Sequence, residues 1–328
     1  MSKSSDQPGA FMFSLDFELY WGVLHNRSID SYRDRILGGR AAVPKVLALA
    51  ERYEVHATWA TVGFLFLDGP EGFERSRPTL EPSYSDRRYS PYDFMERLGG
   101  SIPHELLFAR DLIEKVAATP GQEVATHTYS HFDCQARGAS LAEFDADIAA
   151  ACAVGRELGL DLQSIVFPRN QFQQAHLEVI REHGILAYRG NPEHWAYDFT
   201  GGAHAESRCR RFRIVDAHLD LSGPLTANWP TSGAEDPFNL PASWFLRPEQ
   251  PRQTPLPWLR LRRIKRAMDH AARTGTIFHL WAHPHNFGGD VGGSTCFLEE
   301  IFKHYQQLRE REGMSSLTMG EAARLACG

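Results

Sequence analysis

The sequence predicts an α/β protein, a distorted (β/α) barrel of about seven parallel strands with long loops over its active-site rim. Three observations carry that prediction. Short apolar runs alternate with segments of helical period six or seven times along the 328 residues, the pattern of a parallel sheet wrapped by helices. Polar residues follow directly on several of those runs. In a βα barrel such strand ends share one face, so residues distant in the chain converge there. No glycine-rich phosphate or dinucleotide motif follows the first run, which removes the commonest use of an open doubly wound sheet. That open sheet is the alternative, since it would collect the same residues along a crevice.

Residues 1–10 read as a polar N-terminal tail and 11–328 as a single domain, with irregular insertions at about 68–103 and 192–257. Hydrophobic content of 42% and charged content of 23% are those of an ordinary globular protein. A formal charge of −6 offers no field for nucleic acid. The basic run 260–266 alternates with Leu261 and Ile264 and reads as the solvated face of a helix. No stretch approaches the roughly 18 apolar residues that a membrane span needs, so no membrane insertion is expected. The first ten residues lack an apolar core and a cleavage pattern. Five widely spaced cysteines, odd in number and without a CxxC, read as free thiols of a reducing compartment. The expected location is cytoplasmic.

Taken in order, 11–15 is a buried strand that delivers Asp16-Phe17-Glu18 at its end. Gly38-Gly39 precedes a helix over 40–53, where Val43, Val46, Leu47 and Ala50 repeat at helical spacing. The β-branched and aromatic run 55–67 is a second strand leading into a turn. Segment 68–103 shows no period and reads as an excursion from the core. A helix over 106–118, stopped by Pro120-Gly121, leads to a third strand at 123–126. Helix 140–158 begins with a capping box, Ser140 and Glu143. Strand 164–167 ends at Pro168-Arg169-Asn170-Gln171, helix 174–183 is stopped by Gly184, and strand 186–188 ends at Arg189-Gly190-Asn191. Segment 192–257 reads as loops over one rim. Helix 259–273, strand 276–281, helix 295–311, a short strand at 316–318 and helix 320–326 complete the chain.

The chemistry centres on His127-Thr-Tyr-Ser-His131. Two imidazoles four residues apart can converge on one metal ion, on a helix face or from a tight loop. The zinc-protease version carries a glutamate after the first histidine as general base. Here that position is Thr128, so a base must come from elsewhere. Two other polar clusters at strand ends, Asp16-Phe17-Glu18 and His283-Pro284-His285-Asn286, supply candidates.

With these segments in order, the chain resembles the polysaccharide deacetylase (NodB-homology, carbohydrate esterase family 4-like) superfamily. The acidic cluster comes first, then Ala57-Thr-Trp-Ala-Thr-Val-Gly63, then the histidine pair. Phe167-Pro-Arg169 stands where the family has an arginine segment, and Leu280-Trp-Ala-His283 where it has a leucine and a late histidine. The resemblance spans about residues 11–287. Familiar members carry adjacent aspartates on the first strand, whereas this chain has Asp-Phe-Glu. Residues 16 and 18 share one face of a strand, as in branches with a D-x-E pattern.

The resemblance implies a NodB-like barrel and metal-assisted removal of an N-acyl group, usually acetyl, from an amino sugar. It assigns Glu18, His127 and His131 to the metal, Asp16 to the general base and His283 to the general acid, and the reverse roles for the two acids stay open. Arg169 is expected to orient the base or bind a substrate oxygen. His285 and Asn286 are candidates for substrate contact, for supporting the ligands or for capping the next turn. Trp59, Trp195 and Trp281 are candidates to stack on sugar faces, against the commoner fate of tryptophan in a core. Two imidazoles and a carboxylate suit zinc first, and also cobalt, nickel, manganese or iron. The expected partner is an N-acylated amino sugar or glycan precursor of a surface-polysaccharide pathway, and self-association stays open. The alternatives are a hydrolase of a small amide, cyclic imide or ureide, and a non-catalytic sugar-binding barrel.

Overall fold

The computed structural model describes residues 7–99, 103–197, 203–230, 237–247 and 257–327. Residues 1–6 of the expected tail and parts of both expected insertions lie outside them. Strand β1 (Ala10–Phe17) is followed by α1 (Ile29–Arg52), β2 (Ala57–Thr61), α2 (Pro70–Arg75), α3 (Pro91–Leu98), α4 (His104–Leu107), α5 (Arg110–Ala118) and β3 (Gln122–Thr126). Next come α6 (Leu141–Glu157), β4 (Ser164–Ile165), α7 (Gln174–Glu182), β5 (Ala187–Tyr188), α8 (Ala203–Leu219), β6 (Phe238–Asn239) and β7 (Trp244–Phe245). The chain ends with α9 (Pro257–Thr274), β8 (Ile277–Ala282), α10 (Pro284–Phe287), α11 (Val291–Glu312), β9 (Ser315–Ser316) and α12 (Met319–Cys327).

The strands pair in the order β6-β5-β4-β3-β2-β1-β8-β7, all parallel, with β9 alongside the start of β1. β6 and β7 stand at opposite ends of that order, yet few residues separate them. Five steps of chain reach at most about 18 Å, so the sheet must curl until its ends meet. The link between them forms the seam. Leu240 N donates to Tyr188 O and Ala242 N to Gly190 O, while the next residue, Ser243, donates to His279 O. One extended stretch therefore bonds to β5 and β8 and closes a distorted barrel of seven staves.

Alternation along β1 sorts the side chains. Phe11 and Phe13 point outward and pack edge-on against Phe302 of α11. Met12 lies in a smaller apolar cluster with Ala60, Val166, Phe238, Leu240 and Ile277 that fills the barrel's interior. Ser14 and Asp16 continue the inward row. On β8 the matching row is Ile277, His279, Trp281 and then His283. His279 Nε2 lies 2.8 Å from Ser14 Oγ, a polar rung across the interior.

Three sequence expectations are corrected here. α1 begins at Ile29, capped by Ser28, so Gly38 and Gly39 lie inside the helix. A Cβ on Gly39 would come within 2.7 Å of His285 Cα, so the glycine is there for close approach of α1 to α10. Segment 68–103 is no loose excursion, since α2 and α3 bury Phe73, Tyr92 and Met95 in the main core. Segment 192–257 contains α8 and the seam. The capping box at Ser140 and Glu143 is present.

Candidate metal and active site

Register places the site. Leu15 pairs with Ala282, so Asp16 comes beside His283. Phe17 pairs with Thr61 and Thr61 with Thr126, so Glu18 and His127 follow at one level across β2. The Glu18 carboxylate lies between the imidazoles, with Oε2 3.1 Å from His131 Nε2 and 3.4 Å from His127 Nε2. Gly22 makes room for it, because a Cβ there would meet the carboxyl at 2.0 Å.

The loop carrying the histidines is not helical. Thr128 and His131 have φ of 63° and 56°, the left-handed region that non-glycine residues avoid. Asp147, fully buried on α6, holds the loop by accepting from the backbone N–H groups of Tyr129 (2.6 Å) and Ser130 (3.1 Å) and from the Ser130 hydroxyl. Gly63 N donates to Thr128 O, and Phe132 N to Thr128 Oγ1. His127 Nδ1 lies 2.7 Å from Val166 O. A carbonyl only accepts, so Nδ1 carries a proton, and Nε2 is the nitrogen turned toward Glu18. Burial pushes His131 below the ordinary histidine range, against the opposing pull of Glu18, which favours its neutral, ligating form.

These three residues fit a divalent ion. Their ligand atoms lie within 4.8 Å of one another, and two nitrogens converge on one carboxylate oxygen. The buried Nδ1 of His285 has no hydrogen-bond partner and lies 3.7 Å from Glu18 Oε1. Burial pushes this imidazole down to about 3, so it is neutral at physiological pH.

Asp16 sits beside this group in a different environment. Arg189 Nη1 and Nη2 each bind one of its carboxylate oxygens at 2.7 Å. The guanidinium also donates to Ser14 Oγ and Asn170 Oδ1 and lies 4.3 Å from the Trp281 ring centre. Burial would raise the Asp16 carboxyl, but Arg189 foremost, then His283 and His127, hold it below the ordinary range. Glu18 is held well below its own, burial again being outweighed by the surrounding histidines. His283 Nε2 lies 3.7 Å from Asp16 Oδ2 and 3.6 Å from Glu18 Oε1. Asn286 Oδ1 accepts from the His283 backbone N–H and lies 3.2 Å from Nδ1, which fixes the ring.

Asp16, Glu18, His127 and His283 open into a cavity of about 380 Å³ that Trp281, Trp244, Phe245 and Tyr197 also line. The other expected residues are distributed differently. The Arg169 guanidinium pairs with Asp133 at 2.6 Å, and Arg189 occupies the place beside Asp16. Arg169 still lines the cavity. Trp59 is fully buried, edge-on to Phe17, with Nε1 bonded to Gln122, so it is core and out of a sugar's reach. Trp195 is exposed on a neighbouring groove with Phe172 and His194. His285 stacks on His283 at 4.8 Å.

No protein-family model matches the sequence, and no curated protein matches it. Solved structures do. A Mycobacterium smegmatis protein assigned as a polysaccharide deacetylase superposes with a TM-score of 0.62 at 14% identity, over 99% of this chain and 92% of its own. The fold is that of the polysaccharide deacetylases. A Pseudomonas aeruginosa protein with the same assignment gives 0.53 at 13%, over 96% and 89% of the two chains. PuuE allantoinase gives 0.51 at 12%, over 96% and 88%. A fold of this kind is thus shared with an allantoinase, so the side chains at the rim must decide the chemistry here.

Proposed function

We propose that this chain is a metal-dependent hydrolase that removes an N-acyl group, acetyl first, from an amino sugar. The observation that carries the reading is the pairing of a Glu18–His127–His131 group with two flanking groups, Asp16 held by Arg189 and His283 held by Asn286, over one aromatic-lined cavity. A divalent ion held by Glu18, His127 and His131, zinc on this donor set, supplies Lewis acidity toward water and the amide carbonyl.

The chain's own residues do the rest. Asp16, ionised and fixed by two bonds from Arg189, accepts the proton that water loses as its oxygen joins the acyl carbon. His283 Nε2, 3.7 Å from Asp16 Oδ2 and 3.6 Å from Glu18 Oε1, gives a proton to the nitrogen as the carbon–nitrogen bond breaks. Acetate and a free amine leave. Trp281 and Phe245 offer faces for a sugar ring.

We place the substrate among the precursors of a surface polysaccharide or related glycan, and the protein in the cytoplasm. Five free cysteines are consistent with that compartment. Among the described residues, no helix is long and apolar enough to cross a membrane. Acetate release from N-acetylated sugars by zinc-loaded protein tests the reading. Hydrolysis of allantoin or cyclic imides with no acetate from any sugar would replace it by the small-ureide alternative.

A further inference from the structure

Arginines from two elements line the cavity besides Arg169. Arg210 and Arg213 of α8 line it, three residues apart and so neighbours on one helical face. Arg247, two residues beyond β7, lines it from a separate element. Among the described residues, the carboxylates that line it are Asp16 and Glu18. Both are committed, Asp16 to Arg189 and Glu18 to the histidines. Arg213 is oriented by donating to Ala196 O at 2.7 Å. Burial, opposed by Tyr197 and reinforced by Arg260, Arg213 and Arg210, makes the charge on Arg247 less favourable than in water. An anionic group on the substrate would be attracted to the like charges gathered at this half-buried wall.

We propose that the cavity takes a phosphorylated amino sugar, its phosphoryl oxygens held by Arg210, Arg213 and Arg247 while the N-acyl group reaches Asp16 and His283. The arginine fork matches phosphoryl oxygens with paired N–H donors. Tyr197 and Phe245 line the same cavity and enclose the ring between the two ends. A volume of about 380 Å³ suits a single sugar with its phosphate rather than a polymer segment. The proposal rests on the deacylase reading above for the other end of the substrate. The phosphate has three sources of one chemistry: a sugar 1-phosphate, a nucleoside diphosphate sugar or a lipid phosphate sugar.

The test uses zinc-loaded protein with N-acetylglucosamine, its 1-phosphate, its uridine diphosphate conjugate and its polyprenyl phosphate conjugate in micelles. Calorimetry reads binding, and acetate release reads turnover. The phosphorylated probes are expected to bind at least ~10-fold tighter than the free sugar, the span of one charge-assisted hydrogen bond. Arg210→Gln combined with Arg247→Gln should lower that preference by at least a similar factor at unchanged metal content. Arg210→Gln alone, on the exposed side of α8, serves if the double variant does not fold. The ranking of the conjugates identifies the source. Equal binding of free and phosphorylated sugar, or a preference that survives both substitutions, overturns the proposal even if acetate is released. An arginine-dependent preference with no acetate from any probe upholds the phosphate site and counts against the deacylase reading instead.

Discussion

At the scale of single residues, the two acids two positions apart on one strand are given different tasks by their neighbours. Glu18 faces Nε2 of both His127 and His131, while Asp16 faces the two-pronged guanidinium of Arg189. Asp16→Asn is therefore expected to keep metal content near the parent value and lower kcat by about 10²–10⁴-fold, the usual span of general-base loss. Glu18→Gln is expected to lose the metal. The reverse pattern in metal analysis of the two variants would exchange their roles. Arg189→Met strands a fully buried carboxylate, and breaking such a pair costs about 3–5 kcal/mol. Urea unfolding should show that loss, with activity falling alongside. Arg189 was within reach of sequence reasoning, being a polar residue at the end of a strand like every other member of the site. Arg169 drew the role because of its place in the resemblance, and the left-handed turn at Arg169 (φ 58°) that turns it to Asp133 leaves no mark in residue order.

At the scale of elements, the metal-binding loop depends on a carboxylate from a helix. Burial pushes Asp147 up to about 7, against hydrogen bonds from Ser130 and Tyr129. Its folded value lies above the unfolded value of 3.8, so the stability it contributes is present below pH 4 and is lost as pH rises through 7. Histidines held low, His279 and His285 at about 3, pull stability the other way over much of that window, so the readout is the difference between parent and Asp147→Asn. The urea midpoint of metal-free parent relative to the variant should fall from pH 4 to 7, and an unchanged difference would remove Asp147 as a source of pH dependence. Asp147→Ala leaves buried donors unanswered, at about 1–3 kcal/mol for each such group. Gly39→Ala gives the opposite of the usual helix gain of about 1 kcal/mol. Its methyl would strike the α10 backbone that carries His285, so both thermal midpoint and turnover should drop. Long periodic elements such as α6 and the β1 and β8 strands were legible in the sequence because each carries its own hydrophobic pattern. β6 and β7 were not. Each is two residues long, and they exist through bonds to β5 and β8 that are distant in the chain.

At the scale of the whole molecule, first and last elements share one sheet. β9 pairs with the start of β1, and Met319 N at the head of α12 donates to Thr58 Oγ1 of β2. We propose that residues 11–328 form one folding unit, and calorimetry should then show a single transition whose midpoint rises on zinc addition. Two separated transitions would divide the chain. The convergence of residues 16–18, 127–131 and 283–286 was legible from strand-end placement, whereas the curl that brings Arg247 beside Arg213 depends on the seam. The measurement that bears most directly on the central claim is the metal content of purified protein beside His127→Ala and His131→Ala. One equivalent in the parent, lost from both folded variants together with acetate release, is the result expected. Metal retained in both variants, or a parent that takes up none when loaded with zinc, cobalt, nickel, manganese or iron, would contradict a metal-dependent deacylase at Glu18, His127 and His131.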